Sequence, residues 1–238
     1  MAGLPVKIVT GAGVGILAVT PGSGAGLPVI ESAVGIPVRI MASGGLPVTG
    51  LNPSPPAGGS AFSESIKNPA ILLSNSDETA TLDDAGVQDV ACLATVAITS
   101  GQKVRIEFQV TEISDRVALG IGTIDLLTGD SAFLGCVGGN GIGNYSSSAG
   151  VWENGNNVAG SDGFPAGSVV DIDVDTTTST ISWYVDGVLS VSVNYNQTGD
   201  VYAAIGLRYD GVTIPSVTIT QPGAYIHAPA APYTEYGA

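Results

Sequence analysis

His227 is the only histidine in the 238-residue chain, so acid–base and nucleophilic chemistry has little to work with. A serine hydrolase needs an imidazole beside an activated serine, and the sequence holds no Gly-x-Ser-x-Gly elbow to present one. His227 therefore reads as a surface or packing residue. Asp171, Asp173 and Asp175 alternate along one run and offer three carboxylates to calcium. Same-face neighbours on a strand lie about 6.6–6.8 Å apart, too far for one ion without loop ligands. A solvated strand face is expected instead, and a solvated loop for Asp77, Glu78, Asp83 and Asp84. The 21 acids are too scattered to single out a pair for glycoside cleavage. The run Gly138-Gly139-Asn140-Gly141-Ile142-Gly143-Asn144-Tyr145 superficially suggests a phosphate loop. No Lys-Ser/Thr pair or helix follows it, so a flexible surface loop is expected. Cys92 and Cys136 sit in apolar, strand-like runs and read as two buried thiols, not a disulfide framework. What remains is recognition chemistry. Asn144, Tyr145, Trp152, Asn154, Asn156 and Asn157 combine amides and aromatics that suit sugars and peptides alike, although Trp152 reads equally well as core. The expectation is no catalytic residue, no metal ligand and no cofactor.

Such residues need a scaffold, and the alternation of the chain supplies one. Val104, Ile106, Phe108 and Val110 share a face opposite Lys103, Arg105, Glu107 and Gln109. Val170, Ile172 and Val174 alternate with the three aspartates. Ile181, Trp183 and Val185 alternate with Ser182, Tyr184 and Asp186, and Leu189, Val191 and Val193 with Ser190, Ser192 and Asn194. Period-two patterns of this kind mark half-buried antiparallel strands. Asp186-Gly187 between two of them marks a hairpin. Many short strands with glycine-rich turns predict one all-β domain, an antiparallel β-sandwich over residues 63–221. Residues 222–238 form a Pro/Ala/Tyr tail, expected to run extended along a surface.

The first 52 residues are different. Gly-Leu-Pro-Val or Gly-Ile-Pro-Val recurs at 3–6, 26–29, 35–38 and 45–48, with a degenerate Gly-Ile-Leu-Ala-Val at 15–19. Each proline pushes the residue before it into extended geometry and removes a ladder donor. The unit is a short extended piece with an apolar stripe, then a turn. One copy cannot bury its own stripe, so Leu4, Pro5, Val6, Leu27, Pro28, Val29, Ile36, Pro37, Val38, Leu46, Pro47 and Val48 are expected to anchor on another surface or on symmetry mates. Residues 53–62 read as a Pro/Gly hinge.

Net charge is −14, which disfavours nucleic acid and anionic membranes as partners. The N-terminus lacks the basic region and unbroken apolar run of a signal peptide. No stretch of about 18 apolar residues is present to form a transmembrane helix.

Five segments resemble a SPRY domain. They are Ala118-Leu119-Gly120-Ile121-Gly122, Gly150-Val151-Trp152-Glu153-Asn154-Gly155, Phe164 through Asp175, Thr180 through Gly187, and Val201-Tyr202-Ala203-Ala204-Ile205-Gly206-Leu207. Gly167-Ser168 replaces the family's Gly-Asp, and Ala204 stands where it favours proline. The resemblance implies a bent, concanavalin-like β-sandwich that binds protein or peptide partners through its loops and is not an enzyme. The repeats before a β-domain look more loosely like virion proteins of tailed bacteriophages. That likeness implies a capsid decoration or head fibre on the particle exterior, made in the host cytoplasm, bound to other virion proteins through residues 1–52 and oligomeric, with a trimer as one form. A tail-fibre receptor binder for host-surface glycan or protein is the alternative, and a cellular SPRY adaptor is another.

Overall fold

The computed structural model describes residues 59–82, 89–114, 116–127, 133–137, 140–147, 150–209 and 211–238. The anchoring residues from Leu4 to Val48, the hinge as far as residue 58, Asp83, Asp84, Gly138 and Gly139 lie outside them. Among the described residues fifteen strands follow in chain order: β1 (Phe62–Lys67), β2 (Ile71–Ser74), β3 (Thr79–Leu82), β4 (Val90–Ile98), β5 (Lys103–Glu112), β6 (Arg116–Gly122), β7 (Gly141–Tyr145), β8 (Val151–Glu153), β9 (Asn156–Ala159), β10 (Val169–Asp175), β11 (Thr180–Val185), β12 (Val188–Asn194), β13 (Val201–Arg208), β14 (Ser216–Ile219) and β15 (Thr234–Glu235). A 3-10 turn spans Ile124–Leu127.

The strands form two sheets. One runs β1-β4-β13-β6-β7-β8-β9. The other runs β12-β11-β10-β5-β14-β3-β2, with β15 parallel to the start of β5. The alternating apolar residues meet between the sheets as expected. Ile172 lies opposite Ile106 on one side and Trp183 on the other, and all three are fully buried. Phe62 stacks on Phe108, and the Trp183 indole donates across the sandwich to the Leu119 carbonyl at 2.8 Å. Asp186 and Gly187 both have positive φ, 49° and 77°, the pair a tight type I′ hairpin requires.

The outer faces differ from the expectation. A second cluster lies on the far side of the seven-stranded sheet. Leu126, Phe133 and Leu134, from the β6–β7 connection, pack there on Ala91, Leu93, Ala118 and Ala204. Small residues on the sheet allow this approach: a Cβ at Gly206 would stand 3.1 Å from the Phe133 ring. On the other sheet, the supposedly solvated face is closed. Arg105, Glu107, Asp171, Asp173 and Asp175 are all buried, because residues 222–238 run across it and Tyr236 enters the main core.

Three further expectations are corrected. Gly141–Tyr145 is a buried strand, not a flexible loop, because it pairs with β6 and β8. Leu189 does not share the inner face with Val191. A register break lets Tyr184 face Leu189, which turns it outward and leaves it 54% exposed. Cys92 is buried in β4, whereas Cys136 lies in a turn and is only half-buried. The sandwich also takes up the end of the expected hinge, since Ser60, Ala61 and Phe62 are buried.

Candidate functional site

A polar groove of about 510 Å³ lies at one end of the seven-stranded sheet. Thr123 comes from the end of β6, Asn140 from the approach to β7 and Asn154 from the β8–β9 turn. Asn196, Gln197 and Thr198 come from the segment between β12 and β13, and Tyr202 from β13 itself. Asp125 and Asp200 add carboxylates. The lining is thus mainly amide and hydroxyl, with one aromatic ring.

Glu153 holds this arrangement in place. Glu153 is 3% exposed. Oε1 accepts hydrogen bonds from the Asn196 backbone N–H at 2.7 Å and the Gln197 amide at 3.0 Å, and Oε2 accepts one from the Asn196 amide at 3.0 Å. The same strand end then turns sharply. Asn154 (φ 49°) and Gly155 (φ 83°) form the left-handed pair that joins β8 to β9 and presents Asn154 to the groove.

Of the six residues expected on a recognition face, Asn154 lines the groove and Asn156 and Asn157 are exposed on β9. Asn144 and Tyr145 are buried and are not available to a ligand. Asn144 accepts a hydrogen bond from the Ser161 hydroxyl at 2.5 Å. Tyr145 donates to the Leu134 carbonyl at 2.9 Å, stacks on half-buried Trp152 and lies beneath the Arg116 guanidinium. Burial pushes its hydroxyl far above the usual tyrosine range. Tyr145 and Trp152 thus belong to the second cluster.

The closed face of the other sheet carries a ladder of charge. Arg105 donates two hydrogen bonds to Asp173, at 2.6 and 2.7 Å, and lies 5.0 Å from the Tyr184 ring centre. Lys103 pairs with Asp175 at 2.7 Å, and Asp175 also accepts from the Thr177 backbone and hydroxyl. The next rung has no basic partner within the sheet. Asp171 stands directly opposite Glu107, and both are fully buried. The tail answers them. The His227 backbone N–H donates to Glu107 Oε2 at 3.0 Å, and its Nδ1 lies 2.9 Å from Asp171 Oδ2. Burial raises the Asp171 carboxyl well above its ordinary value, and the charges of His227 and Arg105 pull the other way. Sequence reasoning singled out Asp171 and His227 separately and passed over Glu107. The only local signal was a lone histidine in a tyrosine-rich tail.

No protein-family model matches the chain, and neither does any curated protein. Solved structures do. The SPRY domain of human HERC1 superposes with a TM-score of 0.59 at 14% identity, covering 69% of this chain and 100% of that one. A human SPRY domain gives 0.50 at 12% identity, covering 63% and 94%. The TRIM65 PSpry domain gives 0.50 at 14% identity, covering 68% and 89%. At such identities the likeness is one of fold, and the fold is a SPRY-like β-sandwich. The five resembling segments fall on β6, the β8–β9 turn, β10, the β11–β12 hairpin and β13.

Proposed function

We propose that this chain is a non-enzymatic structural and binding protein of a tailed-bacteriophage particle, either a capsid decoration or a head fibre. Residues 1–52 fasten it to other virion proteins, and the sandwich displays the polar groove outward. The observation that carries the binding half is the groove itself. Amide and hydroxyl groups from four separate segments converge beside one tyrosine, on a scaffold fixed by a buried carboxylate. Preorganised hydrogen-bonding groups of this kind suit a neutral polar ligand, either a protein loop or a sugar. Support for the virion half is the repeat, whose apolar stripes need a neighbouring chain to cover them. Under the second reading, a tail-fibre receptor binder for host-surface glycan, the groove would hold the sugar, with Tyr202 as its aromatic platform. A cellular SPRY adaptor would use the same groove for a peptide.

The test has two arms. Antibody-gold labelling of purified particles is expected to mark the exterior, and deletion of residues 1–52 to abolish incorporation. A chain missing from particles would sink the virion reading. The full chain and its Asn154→Ala/Thr198→Ala variant are then compared on a glycan array and against purified capsid and tail proteins. Loss of a signal in the variant assigns that ligand to the groove, and an unchanged signal removes the groove from the proposal.

A further inference from the structure

The rung formed by Asp171 and Glu107 is chemically incomplete. Asp171 is 0% exposed, yet neither of its side-chain oxygens has a hydrogen-bond partner. Glu107 is also 0% exposed, and its Oε1 is unpartnered while Oε2 takes the His227 backbone N–H. His227 Nδ1 approaches Asp171 Oδ2 to 2.9 Å, but not with the geometry of a hydrogen bond. Arg105, the nearest guanidinium along the same strand, is committed to Asp173. Three buried carboxylate oxygens without a well-aligned donor are costly, and one imidazole nitrogen placed off hydrogen-bond alignment does not satisfy them.

We propose that Glu107, Asp171 and His227 form a site for one divalent transition-metal ion of the zinc type, which clamps the C-terminal tail onto the sandwich. One ligand atom from each residue lies within 4.8 Å of the others. Bonds of about 2.0–2.2 Å place neighbouring ligands of a zinc ion roughly 3–3.6 Å apart, so modest closure completes the set. Ligands of a shared ion come close without hydrogen bonding to each other, because their lone pairs converge on the metal. The Nδ1–Oδ2 approach has this character. An imidazole nitrogen among the donors favours zinc over calcium or magnesium, which take oxygen ligands. The two carboxylates neutralise the ion, and the hydrogen bond from the His227 backbone orients Glu107 so that Oε1 is its free ligand. The His227 side chain is 30% exposed, which leaves an entry path and a position for water.

The full chain, stripped with EDTA and kept under reductant, is titrated with Zn²⁺ by calorimetry, and its metal content is measured by mass spectrometry. One ion per chain is expected, with Tm raised by about 5–10 °C at a hundredfold excess of zinc over Kd. Co²⁺ is expected to give visible d–d absorption on binding. His227→Ala and Asp171→Asn should each abolish the uptake and the Co²⁺ spectrum. If Asp171→Asn does not fold, His227→Ala decides, since its side chain is the least buried of the three. A wild-type chain that takes up no stoichiometric zinc, or a His227→Ala chain that takes up as much as wild type, overturns the site. The groove lies on the other sheet, so either result leaves ligand binding there untouched.

Discussion

Buried carboxylates in this sandwich are distinguished by what neighbours them. Glu153 accepts three hydrogen bonds from the segment it positions, Asp173 takes both arms of Arg105, and Asp175 serves as both ion-pair partner and turn cap. For Asp175, burial alone would raise the carboxyl. Hydrogen bonds from Lys103 and Thr177 outweigh it and hold the group well below the ordinary carboxylate range. A folded-state value depressed in this way stabilises the fold above the unfolded value of about 3.9 and loses that stabilisation as pH falls below it. Asp175→Asn is expected to cost about 1–2 kcal/mol at pH 7, since neutral hydrogen bonds replace charge-assisted ones. The gap between wild type and variant should close as the pH falls from about 4 towards 2. Urea unfolding of both chains across that range checks it, and a gap constant with pH would contradict this account of Asp175.

At the scale of strands, the inward faces were legible and the outward faces were not. Period-two alternation correctly placed Ile106, Phe108, Ile172 and Trp183 between the sheets, because the pleat alone decides which side chains share a face. The alternate positions looked solvated because they are Asp, Glu and Arg, and their burial depends on a tail far along the chain, 120 residues beyond Arg105 and Glu107. Leu189 was misplaced because a single bulge between it and Val191 puts the side chains before it out of phase with those after it, and nothing in Ser190 announces one. The strand Gly141–Tyr145 was hidden by its glycines, which read as loop and are there for close approach. A Cβ on Gly120 would stand 1.9 Å from the Ile142 carbonyl oxygen, on the neighbouring strand β7. Backbone cannot step aside as a flexible side chain can. Gly120→Ala is therefore expected to cost about 3 kcal/mol, or roughly 10 °C in Tm. Gly160→Ala, where the added Cβ meets nothing within 4 Å, should stay within about 0.5 kcal/mol. Parallel thermal melts compare them, and equal melting temperatures would contradict the close-approach explanation.

The whole sandwich is two sheets, each covered on its outer side by a segment that crosses back over it. The β6–β7 connection covers one and residues 222–238 cover the other. Of the candidate site, the sequence exposed Asn154 and the turn that carries it. The rest of the groove comes from segments far apart in the chain, joined only by the pairing of β6, β7, β8 and β13. The tail matters beyond coverage. Tyr236 is 1% exposed, and its hydroxyl donates to the Val96 carbonyl on the opposite sheet. The Tyr225 hydroxyl donates to the Arg105 carbonyl at 2.9 Å, and the Tyr236 backbone N–H donates to that same oxygen at 2.8 Å. Removing residues 222–238 would open a cavity where the Tyr236 ring stood. It would also uncover the charge ladder, where returning water offsets part of the loss by solvating Asp171 and Glu107. Deleting the whole tail is therefore expected to destabilise by about the same amount as Tyr236→Ala alone, about 3–5 kcal/mol. Denaturant unfolding of the two variants beside wild type measures both. A truncated chain as stable as wild type would show that the tail merely rests on the sheet and contributes no core.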